Sequence, residues 1–195
     1  MRFAIFASGS GSNFQKIVES HYQNPKVEFV FLFTDQKQAY AIQRAKMLGV
    51  PVKVAQPKDF PVRLEYEKYL VELCQEAKVD YILLAGYMRI IGSPLLNAYA
   101  NRIINIHPSL LPDFPGRTGI ADAYNAGVTE TGVTVHLVDE GIDTGPILAQ
   151  EKVTIDEGDT LADLETKIHQ IEHQLYPRVV GQLIEEGKRY DTSIN

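Results

Sequence analysis

Five short, almost unbroken apolar runs, spaced through the first 106 residues, constrain this chain more than any other feature. "RFAIFA" (2–7), "VEFVFLFT" (27–34), "VPVKV" (50–54), "DYILLAG" (80–86) and "RIINI" (102–106) are rich in β-branched and aromatic residues and lack an alternating polar face. That is the pattern of strands buried on both sides. Between them lie helical patterns. "NFQKIVES" (13–20) sets Phe14, Ile17 and Val18 on one face, "AYAIQRAKMLG" (39–49) stops at Gly49, and "VRLEYEKYLVELCQEA" (62–77) is longer and amphipathic. Strand alternating with helix predicts an α/β fold: a doubly wound, mostly parallel, Rossmann-like sheet with helices on both faces.

The pattern changes after residue 106. "TGVTVHLVDEGIDTGPILAQEKVTI" (131–155) holds two strand-like runs around a Gly- and Asp-rich turn, which predicts a C-terminal antiparallel hairpin closing the sheet. "TLADLETKIHQIEHQLYPRVVGQLIEEG" (160–187) is helical, with a break or kink expected near Pro177. No repeat or linker interrupts the chain, so a single domain over 1–195 is expected. Its N-terminal half, about 1–100, is expected to bind phosphate, and about 101–195 to carry the chemistry.

Composition closes off several functions. A formal charge of −6 argues against general nucleic-acid or anionic-membrane binding, though it permits a local basic pocket. One cysteine, Cys74, excludes an internal disulfide and a multi-Cys metal site; its helical spacing with Leu70, Leu73 and Ala77 places it in the core. "MRFAIFASGS" is interrupted too soon for a signal peptide, and no apolar run nears the roughly 18–20 residues that span a bilayer. A cytoplasmic protein is expected.

Two places carry chemistry. "SGSGSN" (8–13) joins the first strand to the first helix. Gly9 and Gly11 permit a tight turn, and free N–H groups at a helix start make an anion site. The dinucleotide fingerprint needs a third glycine, where Phe14 stands. The phosphate of a smaller ligand is the preferred reading. A nicotinamide dinucleotide, with Asp35 as its ribose acid, and a merely tight turn stay open. The second place is "NRIINIHPSLLPDFPG" (101–116), where Asn105 and His107 stand two apart at a strand end. Residues so spaced project to one side, and strand carboxyl ends form the ligand crevice of an open α/β sheet. An imidazole there can move protons and an amide can bind an oxyanion. Asp143, in "DEGIDTGP", is the candidate acid, although 36 positions separate it from His107.

With "SGSGSN", "LAGYMRI", "NIHPSLLPDFPG", "GVTVHLVDEGIDTGPILAQ" and "EHQLYP" in order, the chain resembles the phosphoribosylglycinamide formyltransferase family, folate-dependent enzymes of purine synthesis. The resemblance covers nearly the whole chain. Related formyltransferases that act on methionyl-tRNA carry an extra C-terminal domain, and formyltetrahydrofolate deformylases an extra N-terminal one; neither is expected here. The resemblance implies transfer of a formyl group from 10-formyltetrahydrofolate to the amine of 5-phosphoribosylglycinamide. Asn105, His107 and Asp143 would be catalytic. Gly11, Ser12 and Asn13 would hold the ribonucleotide phosphate, Glu172 the ribose hydroxyls, and Pro108 would border the glycinamide pocket. Arg89, Ile90 and Ile91 would line the folate site with Val138, Asp139, Glu140, Gly141 and Ile142. Leu111–Pro112 would be a cis peptide. Asp143 would raise the pKa of His107. The partners implied are small molecules, without metal or nucleic acid, for a monomer or homodimer.

Many members have histidines just after the "PG"; here "PGRTGIADAY" (115–124) has Arg117, Thr118 and Ile120 instead. Arg117 could bind an anion or be a solvated loop residue. His136 reads as a satisfied strand histidine that could reach the folate side. Three other readings stay open: a formyltetrahydrofolate hydrolase using the same trio, a nucleotide-sensing module without turnover, and metal hydrolysis through the H-x-x-E-H of "HQIEH" (169–173).

Overall fold

The apolar runs become the strands of one sheet. The computed structural model describes residues 1–187; 188–195, the end of the expected domain, lie outside the described residues. The strands are β1 (Arg2–Phe6), β2 (Glu28–Thr34), β3 (Val52–Val54), β4 (Tyr81–Leu84), β5 (Ile103–His107), β6 (Glu130–Leu137) and β7 (Ile147–Thr154). The helices are α1 (Ser12–His21), α2 (Ala41–Met47), α3 (Arg63–Glu76), α4 (Ser93–Ala98), α5 (Gly119–Asn125) and α6 (Leu161–Glu186). The spatial order is β3-β2-β1-β4-β5-β6-β7. The first five are parallel, and β6 and β7 pair antiparallel as the hairpin pattern predicts. Chain order reverses between β1 and β4, the topological switch point where such sheets bind ligands.

Alternate strand residues enter two separate cores. Phe3 and Ile5 of β1 pack with Phe14 and Ile17 of α1 and with Leu175 and Val179 of α6. Ala4 and Phe6 pack with Tyr66 and Leu70 of α3 and Leu95 of α4. This two-sided burial is why the strands lack a polar face. Cys74 is buried in the second core, where burial pushes its thiol up to about 12, so it is inert.

The helix breakers act unequally. Gly49 follows α2 at φ +69°, a left-handed stop. The expected break at Pro177 does not occur: α6 runs unbroken through it. Leu175, Tyr176, Pro177, Val179 and Val180 are all buried, so tertiary packing holds the helix across the missing hydrogen bond. Tyr176 also donates to the carbonyls of Leu84 (3.2 Å) and Ile104 (2.9 Å), tying α6 to β4 and β5. Thr160 caps α6 reciprocally with Asp163. No described helix is long and apolar enough to cross a membrane.

Candidate active site

The β1–α1 loop opens the cleft. Gly11 caps α1 with φ +72° and ψ +25°. A Cβ there would also lie 2.6 Å from the Ala41 Cβ of α2, so both conformation and crowding demand glycine. Arg44 of α2, stacked 5.0 Å from the Tyr40 ring, donates through Nε to the Ser10 carbonyl (2.9 Å) and fixes the loop from outside. Asn13, at the first turn of α1, donates to Glu172 of α6 (3.0 Å); both are buried. Burial pushes the Glu172 carboxyl above its ordinary value, against the Asn13 bond and the charge of His169. The Asn13 Oδ1 is buried without a partner, an acceptor held beside the cleft.

Asp35, at the end of β2, does not serve as a ribose acid. It is 1% exposed and already occupied: Ser8 Oγ donates to Oδ1 (2.6 Å), and Arg89 Nε to Oδ2 (2.7 Å). Together with Phe14 in place of the third glycine, this removes the physical basis for the nicotinamide reading.

β5 persists through His107, and Ile104 and Ile106 enter the α1/α6 core, so Asn105 and His107 face the opposite side together. Antiparallel pairing sets Asn105 opposite His136 of β6. His136 Nδ1–H donates to the Leu137 carbonyl (2.8 Å), which leaves Nε2 to accept from Asn105 Nδ2 (3.2 Å). The loop after β6 folds back and delivers Asp143 at φ +56°, held by the Gly116 N–H (2.8 Å). Its Oδ2 lies 3.4 Å from His107 Nδ1 and its Oδ1 lies 3.5 Å from His136 Nε2. His107 Nε2–H donates to the Phe114 carbonyl (2.8 Å), so Nδ1, on the Asp143 side, is the nitrogen that gains or loses a proton. Gly119 permits this bond: a Cβ there would lie 3.0 Å from Phe114 O and 3.1 Å from His107 Nε2. Leu111–Pro112 is cis, as the resemblance implies.

The Asp143 charge acts upward on His107 as expected, but it does not set the net direction. His107 is 3% exposed, and burial lowers its pKa below the ordinary histidine value; the Phe114 carbonyl and the Asp143 charge act upward and lose. The site therefore favours neutral His107 over imidazolium. Burial alone would raise Asp143, but a hydrogen bond with His136, the Gly116 N–H and the positive charge that either ring carries when protonated outweigh it and hold the carboxyl below its usual value.

These groups line one cleft of about 470 Å³ between the switch point and the β6–β7 loop. It takes in Gly11, Ser12, Asn13, Arg89, Ile90, Ile91, Asn105, His107, Pro108, Val138, Asp139, Gly141, Ile142, Asp143 and Glu172, that is, the expected site residues except one. Glu140 instead borders a neighbouring shallow depression with Arg63 and Glu67. The cleft also holds Ser8, Tyr87 and Met88, from the two strand-end loops expected to face it, and Ile120 and His169, which the sequence did not point to. Arg117 lines it too, donating to the Met88 carbonyl (3.0 Å). His136 is a satisfied strand histidine, as the sequence suggests, and its contact with Asn105 and Asp143 is what the sequence does not show. Only its pairing with Asn105 across the sheet marks it, and no sequence spacing carries that. In "HQIEH", the His169 and His173 rings stack 6.4 Å apart while Glu172 turns to Asn13. Among the described residues, no group of three or more His, Cys, Asp or Glu is placed to hold a metal ion.

A mostly parallel sheet with an antiparallel end, and an Asn–His–Asp cluster sharing one cleft with the glycine-rich start of α1, define a class. The chain belongs to the formyl transferase family, whose model matches residues 1–180. Within it, the chain is similar to phosphoribosylglycinamide formyltransferase of Bacillus subtilis, 47% identical over 184 residues that cover 94% of each chain. Among solved structures, phosphoribosylglycinamide formyltransferase from Bacillus halodurans superposes with a TM-score of 0.92 at 48% identity, covering 97% of this chain and 98% of that one. Glycinamide ribonucleotide transformylase 1 from Geobacillus kaustophilus gives 0.91 at 49%, covering 94% and 98%.

Proposed function

We propose that this protein transfers the formyl group of 10-formyltetrahydrofolate to the primary amine of 5-phosphoribosylglycinamide, in purine biosynthesis. The observation that carries the reading is the placement of the Asn105–His107–Asp143 cluster in the same cleft as the Gly11–Asn13 helix start. The cleft is long enough to divide. The phosphate would rest on the N–H groups of Gly11, Ser12 and Asn13, and the ribose hydroxyls on Glu172. Pro108 would border the glycinamide. The folate would lie between Arg89–Ile91 and Val138–Ile142, with Glu140 at its outer edge. One domain would carry the whole reaction. The division at about residue 100 is loose in this arrangement, because Arg89 serves the folate and Glu172 the ribonucleotide.

The amine attacks the formyl carbon on N10 and an oxyanion forms. The Asn105 amide nitrogen has two N–H groups; His136 takes one, and the other donates to that oxygen. One proton must leave the amine and one must arrive at N10. His107 Nδ1, kept neutral by burial, accepts the first, and Asp143 stabilises the imidazolium so formed. From there the proton passes to N10, which leaves as the neutral amine of tetrahydrofolate. Holding both substrates in line supplies much of the rate. The test is to follow a carbon-13 formyl label from the folate. Label in a new amide on the glycinamide supports the reading. Label in free formate, without need of the glycinamide, would make the protein a hydrolase.

A further inference from the structure

Behind the cleft lining, Asp35 is almost completely enclosed, and its two oxygens bond side chains from different parts of that lining. Oδ1 accepts from Ser8 Oγ (2.6 Å), at the base of the glycine loop. The same Ser8 Oγ accepts from the Met88 N–H (2.9 Å), and the Ser8 N–H donates to the Gly86 carbonyl (3.0 Å). Oδ2 accepts from Arg89 Nε (2.7 Å) and from Gln36 Nε2 (3.0 Å). One carboxylate, 1% exposed, thus joins the 8–13 loop to the 86–91 segment through two direct bonds and one relay.

Apart from Asp35, Ser8 itself also joins the two loops, through its N–H to Gly86 and its Oγ to Met88, but among the described residues Asp35 is the group that reaches the Arg89 side chain from the glycine loop. Arg44 holds the glycine loop to α2. Glu67 holds Gly92 (3.1 Å), and Arg63 and Arg117 hold the carbonyls of Ile90 and Met88. These bonds anchor each loop to the body separately. A buried carboxylate whose partner is removed is left uncompensated, so Asp35 keeps Ser8 and Arg89 in register with each other.

We propose that Asp35 is a positioning residue that couples the two substrate subsites, so that occupation of one raises affinity at the other. The inference rests on the two-substrate reading above. A ligand that orders the glycine loop fixes Ser8, and through Asp35 it fixes Arg89 before the second ligand arrives. The second ligand then meets a loop already ordered. Linkage requires the effect to be equal in both directions.

The experiment is calorimetric. The dissociation constant of 5-phosphoribosylglycinamide is measured with and without saturating tetrahydrofolate, which has no formyl group to transfer. In the wild type, tetrahydrofolate should tighten ribonucleotide binding by about 5-fold or more, within the usual range of coupled sites. Asp35→Asn should bring that ratio close to one. Ser8→Ala, which removes the Ser8 ends of both the Asp35 bond and the Met88 bond and leaves the Asp35–Arg89 pair in place, should reduce it as well, and a ratio retained there overturns the proposal if the Asp35 variant does not fold. A wild-type ratio of one, or a wild-type ratio retained in Ser8→Ala and in folded Asp35→Asn, overturns the proposal. Failure of either ligand to bind the wild type would instead overturn the functional reading.

Discussion

In the proposed mechanism the chemistry turns on Asp143 and His107. Asp143→Asn keeps the shape and the Gly116 bond while removing the charge 3.4 Å from His107 Nδ1. Turnover should fall by about 10³-fold, within the range of acid–base contributions, while thermal unfolding shifts by only a few degrees. Near-normal turnover would remove Asp143 from the mechanism. The depressed pKa of His107 fixes a direction of pH dependence. The protein must keep Nδ1 free, so kcat/KM should fall on the acid side with a midpoint below the ordinary histidine value of 6.5. The stability sign follows the same way. The unfolded chain binds a proton at His107 more readily than the folded one. This contribution is therefore present above about 6.5 and is lost as pH falls through the folded value. An acid limb above 7 would contradict the assignment. A third residue acts by its absence of a side chain: Gly119→Ala should press on the His107–Phe114 bond and slow turnover by about 10-fold, with little change in substrate affinity.

At the scale of elements, the account depends on how the β1–α1 loop, β5 and the β6–β7 loop are held. Gly11→Ala combines a left-handed backbone with a 2.6 Å clash against Ala41. It should destabilise by about 2–4 kcal/mol and weaken ribonucleotide binding, measurable by denaturant unfolding and titration. The strands were legible because two-sided burial leaves a plain mark: unbroken apolar runs bounded by turn residues. Helices α4 and α5 were not, because each has at most two turns, too few for a 3.6-residue period to register. At Pro177 the pattern allowed a break or a kink, and α6 has no break. The local rule against proline inside a helix is sound, and the core packing of α6 overrides it. His107 and Asn105 could be placed on one side from their spacing, but His136 could not, because its place depends on the register of β6 against β5.

For the whole molecule, the cleft exists because one long helix closes one face of the sheet and a returning loop closes the reaction end. Tyr176 ties α6 to β4 and β5 through two backbone carbonyls, with its hydroxyl fully buried. Tyr176→Phe should cost about 1–3 kcal/mol of stability while leaving the catalytic cluster intact, a separation visible by comparing unfolding midpoints with kcat. Asp143 reaches His107 only after the chain has traversed α5, β6 and the loop beyond, so no local pattern brings them together. The resemblance to a known family named the trio at the level of sequence; the physical cause of their meeting is the antiparallel end of the sheet. The most direct measurement is the initial rate of folate absorbance change with 10-formyltetrahydrofolate, with and without 5-phosphoribosylglycinamide, for the wild type and Asp143→Asn side by side. The account predicts turnover in the wild type only when the glycinamide is present, and about 10³-fold less in the variant. Turnover without the glycinamide, or equal rates in the two proteins, would contradict it.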